Sequence, residues 1–116
     1  MKPLLQQETE YRWPNGIDKA AAILSAEPPE LSERHGMNFI ADVDSLGSYL
    51  AAALRLPSGR LVVLSRHQGD PGTGTSVYVD LLDDADAARR ELTQLLGLTD
   101  HDFRWMRPID ETGVNG

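Results

Sequence analysis

Residues 49–64 read YLAAALRLPSGRLVVL, and this stretch decides the fold because it contains two candidate strands and the turn between them. The alternation over residues 49–56 predicts a strand with leucines on one face and alanines on the other, although the same alanines leave a helix open. Pro57 and Gly59 are placed as in a tight turn that ends in a left-handed residue. Residues 61–64 are apolar and rich in valine, which favours a central strand. The stretch therefore predicts an antiparallel hairpin.

Before the hairpin, the spacing of the apolar residues changes along the chain from a helical period to the alternation of a strand. A spacing of i, i+3, i+4 and i+7 predicts a helix that buries Ile17, Ala20, Ala21 and Leu24. We expect Pro28 to end this helix, because proline lacks the backbone donor, and a short turn to follow over residues 29–35. Alternation over residues 37–43 then predicts a strand. Residues 1–14 have no clear period and leave open either an opening strand or a tail.

The segments after the hairpin return from period two to period 3.6. Three glycines and a proline make residues 68–75 a loop, and alternation over residues 76–81 predicts a strand. A second helix follows, with Asp83 or Asp84 as its cap, Gly97 at its end and a buried stripe of Ala85, Ala88, Leu92, Leu95 and Leu96. Residues 103–106 are predicted to form a short last strand.

This order of elements predicts an α+β fold: a mainly antiparallel sheet of about four to five strands with two helices on one face. Residues 1–116 are expected to form a single domain, because the length suits one core and no linker interrupts it. Residues 110–116 are expected to be a frayed tail.

Charge and cysteine content restrict the classes of partner. Eighteen acidic residues oppose eleven basic ones, which gives a formal charge of −7 and disfavours nucleic acid as a ligand. Cysteine is absent, which excludes disulfides, thiolate metal sites and a cysteine nucleophile. No apolar run is long enough for a membrane helix and no signal-peptide pattern is present, so we expect a cytoplasmic protein that binds no membrane.

Several constellations resemble catalytic or ligand sites but have simpler explanations. The glycine-rich loop at residues 69–75 lacks the lysine and the following helix of a phosphate site. Asp42 and Asp44 share one side of a strand, as a divalent cation would need, yet polar alternation is also typical of a solvated face. The run Asp100-His101-Asp102 is better explained as a turn capped by Thr99. We therefore predict no metal and no cofactor.

Ser65, His67 and Asp70 supply the residue types of a hydrolytic triad, and Ser65 and His67 fall on the same side of a strand. A nucleophilic serine also needs a sharp elbow or an oxyanion hole, and no Gly-x-Ser-x-Gly motif is present. A small hydrolase is therefore the least favoured of three functional hypotheses, and we expect the protein not to be an enzyme.

The most informative feature is a cluster of four carboxylates within seven residues, Asp80, Asp83, Asp84 and Asp86. Helix capping explains about half of them, and the others repel each other, so a basic partner is an available explanation for the rest. The aromatic side chains Trp13, Tyr78 and Trp105 are candidate apolar anchors, because tryptophan and tyrosine dominate protein interfaces. Together these residues predict a partner-binding surface that works by electrostatic steering.

The leading hypothesis is a small acidic protein-binding module that docks onto one basic protein and blocks it. Bacterial immunity proteins, which neutralise a nuclease toxin at its cationic cleft, resemble this chain in size, charge and class, with no shared motif. The alternative is a self-associating structural or regulatory domain without catalysis. Its contact would be a sheet edge, the last strand, or the small face formed by Ala51 and Ala53. The sequence leaves open whether the protein is a monomer or a homodimer.

Overall fold

The computed structural model describes residues 5–70 and 72–108 of the chain. Within these residues, seven strands form one antiparallel sheet. In chain order the elements are β1 (Gln6–Glu8), β2 (Asp18–Leu24), α1 (Pro28–His35), β3 (Ile40–Asp44), β4 (Gly47–Arg55), β5 (Leu61–His67), β6 (Thr75–Asp80), α2 (Ala85–Leu96), a 3₁₀ helix (Asp100–Asp102) and β7 (Phe103–Met106). The predicted α+β class is confirmed, and the sheet has more strands than the sequence predicted.

The strands lie in the order β1-β4-β5-β6-β2-β7, and β3 pairs with β4 beside β1. The hairpin predicted from residues 49–64 is present as β4 and β5, paired from Tyr49 opposite His67 to Arg55 opposite Leu61. Its turn is closed by two hydrogen bonds of 2.8 Å, from the Leu56 amide to the Arg60 carbonyl and from the Gly59 amide to the Leu56 carbonyl.

The main core lies on the face of the sheet that both helices contribute to. Leu31 of α1 and Leu92 of α2 are fully buried in one cluster with strand residues such as Leu54, Val62 and Val79. In β5 and β6 the members of this cluster, Val62 with Leu64 and Val77 with Val79, recur at alternate positions, which is the period expected for one face of a sheet. The second helix ends as predicted, because Gly97 is left-handed and its amide donates to the Thr93 carbonyl.

A smaller cluster lies on the other face of the sheet, formed by Ala53, Leu61 and Val63. Trp13, from the segment between β1 and β2, packs against it. Trp13 is therefore a partly buried cover for this face. Ala53 is only 3% exposed and Ala51 is partly buried, so most of the small face considered for self-association is covered by the chain itself.

The helix predicted over Ile17, Ala20, Ala21 and Leu24 is wrong, because residues 18–24 form the strand β2 between β6 and β7. The helical spacing comes from a shift in register between Ala20 and Ala22. At this irregularity the consecutive residues Ala21 and Ala22 are both buried, which breaks the alternation that identifies a strand. Small side chains are required here because α2 packs on β2.

Two other boundaries also differ from the prediction. Pro28 begins a helix instead of ending one. The backbone amides in the first turn of a helix have no acceptor within the helix, so the amide that proline lacks is not needed there. The strand predicted over residues 37–43 begins only at Ile40, and all five residues of β3 are exposed. Met37 is buried in the main core without being part of a strand.

The opening segment forms the short strand β1, whose residue Gln7 lies opposite Leu54 of β4. The predicted tail at residues 110–116 lies outside the described residues. Within the described residues, no helix has both the length and the apolar character needed to cross a membrane.

Candidate protein-binding surface

The junction between β6 and α2 contains the four carboxylates that the sequence singled out. Asp80 ends β6 and is 7% exposed. Its Oδ1 accepts the Asn15 backbone amide at 3.1 Å, and its Oδ2 accepts the Asn15 side-chain amide at 2.6 Å and the Leu82 amide at 3.1 Å. Asp80 therefore ties the segment before β2 to the turn after β6.

The environment of Asp80 changes its protonation. Burial raises the pKa of this carboxyl, but the hydrogen bonds from Asn15 and Leu82 and the charge of Lys19 outweigh burial, so the net pKa lies below the ordinary value. The group is therefore held as a carboxylate by donors of its own chain.

Asp83 and Asp86 are paired with arginines of the same chain. The Arg60 Nε lies 3.1 Å from Asp83 Oδ1. Asp86 receives Arg89 at 2.8 Å and Arg90 at 2.9 Å, one on each carboxylate oxygen. The hydrogen bond from Arg89 is the largest cause that lowers the pKa of Asp86. These two carboxylates therefore contribute much less free negative charge than the sequence suggests.

Asp84 is the cap of α2. Its side chain accepts the Ala87 amide at 3.0 Å, which satisfies one of the unpaired donors in the first turn of the helix. The residue is exposed, and its carboxylate is not in an ion pair with any basic residue of the described chain. Asp84 is therefore the member of the cluster whose charge is most available to solvent.

The three aromatic residues lie at separate places. Trp13 contacts the small cluster beneath β4 and β5, and Tyr11 meets it edge to face with ring centroids 5.9 Å apart. Tyr78 is half-buried on β6. Trp105 lies on the edge strand β7, opposite Ile23, with 39% of its surface exposed. The strand register places all three on the face of the sheet turned away from the helices, because Tyr78 lies opposite Val63, and Trp105 lies opposite Ile23, which in turn lies opposite Ser76.

Sequence reasoning missed three exposed apolar side chains at the same junction. Leu82 is 76% exposed, Ile17 is 57% exposed and Leu81 is 40% exposed. The Leu81 amide donates to the Ile17 carbonyl at 3.0 Å, which continues the pairing of β2 with β6 by one residue. The exposed carboxylates Asp18 and Asp84 flank these residues in the chain. We call Ile17, Asp18, Leu81, Leu82 and Asp84 the junction surface.

The sequence signal for this surface was present but was assigned to the core. Ile17 was placed on the buried stripe of a helix, and Leu81 on the inward side of a strand. Both assignments fail because β2 begins only at Asp18 and β6 ends at Asp80. Two leucines directly before the helix-capping aspartates are the feature of the sequence that marks the surface.

The glycine-rich loop has the wrong polarity for a phosphate site. Arg66 donates to the carbonyls of Gly72 and Gly74, at 2.8 and 3.1 Å, and Arg104 donates to the carbonyl of Thr73 at 2.6 Å. A phosphate loop presents amides to its ligand, whereas these carbonyls turn toward guanidinium groups of the chain. The loop is therefore a connection held by two arginines.

The proposed triad of Ser65, His67 and Asp70 is not arranged as a triad. The His67 Nε2 lies 2.8 Å from Asp44 Oδ2, and Asp70 accepts the backbone amide of His67 at 3.1 Å. The hydrogen bond from His67 lowers the pKa of Asp44. Ser65 is buried on β5. The imidazole is therefore oriented by Asp44, on a neighbouring hairpin, and not by Asp70.

The two candidate cation clusters also have internal explanations. Asp42 Oδ1 accepts the Val43 amide at 2.8 Å, while Asp44 is bonded to His67. Asp102 and Thr99 form the expected capping box of the 3₁₀ helix. Among residues 5–70 and 72–108, no group of three or more side chains suited to a metal ion is found.

Comparison with protein-family models, with curated proteins and with solved structures finds no match for this chain.

Proposed function

We propose that this chain is a protein-binding module that binds a basic protein partner at the junction surface. The observation that carries the proposal is the exposure of Leu82, Ile17 and Leu81 at one end of the sheet, beside unpaired carboxylates. Exposed apolar side chains bordered by polar groups are typical of protein interfaces, because they gain burial on docking while the polar groups set orientation.

The charge of the junction surface supports a basic partner. Asp18 and Asp84 are exposed and have no basic partner in the described chain, whereas Asp83 and Asp86 are neutralised by Arg60, Arg89 and Arg90. The whole chain adds a net charge of −7, which attracts a cationic protein from a distance. In this proposal the apolar side chains supply affinity, and the carboxylates mainly raise the association rate.

The specific form of the proposal is an inhibitor of the immunity type, which blocks the cationic cleft of a nuclease toxin. A nuclease cleft is lined with basic residues because it binds phosphates. An acidic protein with an apolar anchor competes for that cleft directly. Asp80 supports this role indirectly, because its bonds to Asn15 and Leu82 fix the two loops that carry the anchors.

The test is a paired capture experiment. The wild-type protein, an Ile17→Ser/Leu82→Ser variant and a Leu46→Ser variant are each immobilised and exposed to a lysate of the source organism, and the retained proteins are quantified by mass spectrometry. Leu46 is the matched control because it is 81% exposed but lies at the turn between β3 and β4. We expect a basic protein on the wild-type and Leu46→Ser columns that the double variant retains at least tenfold less.

The inhibitor form has its own readout. The captured protein is purified and assayed for cleavage of DNA and RNA, alone and with one equivalent of this chain. We expect cleavage to stop at a one-to-one ratio with the wild-type chain and to continue with the double variant. Equal retention by all three columns would refute docking at the junction surface. If the captured protein is lost only from the double-variant column but shows no nuclease activity that this chain inhibits, docking at the junction surface stands and only the inhibitor role is refuted.

A further inference from the structure

The edge strand β3 is exposed along its whole length. In the described part of the chain it pairs only with β4, so its other edge has no partner strand. The Val43 amide donates to the side chain of Asp42, and the carbonyl of Ser48, which lies opposite Val43 on β4, accepts from Gln68, so the backbone groups of Val43 point to the free edge. Alternate residues of an antiparallel strand share this orientation, so Ala41 presents its backbone groups to the same edge.

A groove of about 660 Å³ runs beside this strand, on the face that carries α1. Apolar groups from three elements line it, namely Pro28 and Pro29 of α1, Ala41 and Val43 of β3, and Leu50 of β4. Arg66 borders the groove and is fixed in place by Glu27 at 3.3 Å. A side chain that projects from an added strand toward this face would therefore enter an apolar groove.

The opposite face of β3 is acidic. Asp42 lies opposite Tyr49, and Asp44 lies opposite Gly47, so by register these two side chains share the other face of β3, although Asp42 also borders the groove. Asp42 is in no ion pair within the described residues, and its second oxygen is not used by Val43. A strand added beside β3 would thus meet apolar groups on one face and negative charge on the other.

We propose that β3 binds an extended segment of another protein as an additional strand, and that this segment alternates apolar and basic residues. Its backbone would pair with the free edge at Ala41 and Val43, its apolar side chains would enter the groove, and its lysines or arginines would face Asp42. Binding by strand addition takes affinity from the backbone and selectivity from alternate side chains. This site is separate from the junction surface, since β4, β5 and β6 lie between β3 and β2.

A second copy of this chain is a poorer occupant. A two-fold pairing centred on Asp42, the middle residue of β3, would place two copies of Asp42 directly opposite each other. Like charges in that position destabilise a strand pair. The charge of the strand therefore favours a basic partner segment.

The experiment uses two soluble synthetic peptides, one alternating lysine with valine and the other alternating glutamate with valine. Binding is followed by the amide shifts of the isotope-labelled full chain. We expect the lysine peptide to shift the amides of residues 40–44 in a saturable way. The variant Val43→Pro should weaken binding at least tenfold and keep the fold, because its amide points away from β4 and an edge strand tolerates proline there.

Reversing the charge of Asp42 tests whether this carboxylate selects the basic peptide. Asp42→Lys should lose the lysine peptide and gain the glutamate peptide, whereas Asp100→Lys changes the net charge equally and should bind the lysine peptide within about twofold of the wild type. Asp100 is the matched control because it is exposed and precedes β7, at the opposite edge of the sheet. Equal loss in both variants would mean attraction to net charge only and would overturn the proposal. A dimer that Val43→Pro dissociates would overturn it in favour of a second copy.

Discussion

At the scale of single residues, four neighbouring carboxylates have three different roles. Asp80 joins two loops, Asp84 caps a helix, and Asp83 and Asp86 bind arginines of the same chain. The sequence shows only that four negative charges are close together. It cannot show which of them are neutralised, because Arg60 and Asn15 approach from distant parts of the chain. The charge available to a partner is therefore set by tertiary contacts.

Asp80 makes stability depend on pH. Its pKa is lower in the folded chain than in the unfolded one, so the unfolded chain binds more protons near pH 4 and acid favours unfolding. The stability that Asp80 contributes is present above about pH 4 and is lost as the pH falls through the folded pKa. We expect Asp80→Asn to lower the melting temperature at neutral pH and to approach the wild type in acid.

Circular dichroism melts from about pH 7 to about pH 3 check this expectation. Glu33→Gln, an exposed residue of α1, is the control and should follow the wild-type curve throughout. If the Asp80→Asn curve stayed parallel to the wild-type curve down to the lowest pH, Asp80 would not be the group that titrates.

Two glycines with positive φ provide a matched pair for backbone strain. Gly59 has φ +94° and open space where a Cβ would lie, whereas Gly74 has φ +107° and a Cβ there would lie 2.2 Å from the Leu24 carbonyl oxygen. Gly59→Ala should cost only the conformational strain, about 1–2 kcal/mol. Gly74→Ala should cost clearly more, because β2 must also move. Urea unfolding of both variants measures the difference, and equal costs would contradict the close approach of Gly74 to β2.

At the scale of elements, the local sequence pattern predicted an element correctly where the spacing of its apolar residues matched the period of that element. Pro57 and Gly59 predicted the hairpin turn, and Asp84 and Gly97 predicted the ends of α2. The failure was β2, where an irregularity buries Ala21 and Ala22 in succession and imitates a helix. Alanine favours helices, but here its small size allows α2 to pack on the sheet. Tertiary packing therefore overrode the local preference.

Two substitutions of Asp84 separate its role as the cap of α2 from the effect of its charge. Asp84→Ala removes the acceptor for the Ala87 amide and should cost about 1 kcal/mol. Asp84→Asn keeps an equally good cap and should change the free energy of unfolding by only a few tenths of a kcal/mol. Urea unfolding distinguishes the two, and an equal loss in both variants would show that charge and not capping stabilises the helix. Asp84→Asn is thus the variant that removes charge from the junction surface without unfolding the helix.

At the scale of the whole molecule, the sequence predicted the α+β class and the hairpin, and it singled out the aspartates before α2 but not the apolar groups exposed beside them. The location was marked by the aspartates around the start of α2. The exposed apolar side chains were hidden because the boundaries of β2 and β6 decide whether Ile17 and Leu81 point into the core. Those boundaries depend on pairing between residues more than 60 positions apart, such as Asp18 with Asp80.

A module that binds a different protein should not need a second copy of itself. Trp13 packs against the cluster that contains Ala53, and the β3 edge carries Asp42, so two of the contacts considered for self-association are covered or charged, and the last strand is the contact that remains to be tested. Light scattering across a wide concentration range should therefore give the mass of one chain throughout. A mass that doubles with concentration would favour the self-associating domain instead.

The most direct measurement is the dissociation constant of the captured partner, determined by calorimetry with the wild type, Ile17→Ser/Leu82→Ser, Asp84→Asn and Leu46→Ser. We expect the double variant to bind at least tenfold more weakly and Leu46→Ser to bind as the wild type does. Asp84→Asn should mainly slow association and reduce its sensitivity to salt. If the double variant binds as tightly as the wild type, the partner does not dock at the junction surface and the central claim is wrong.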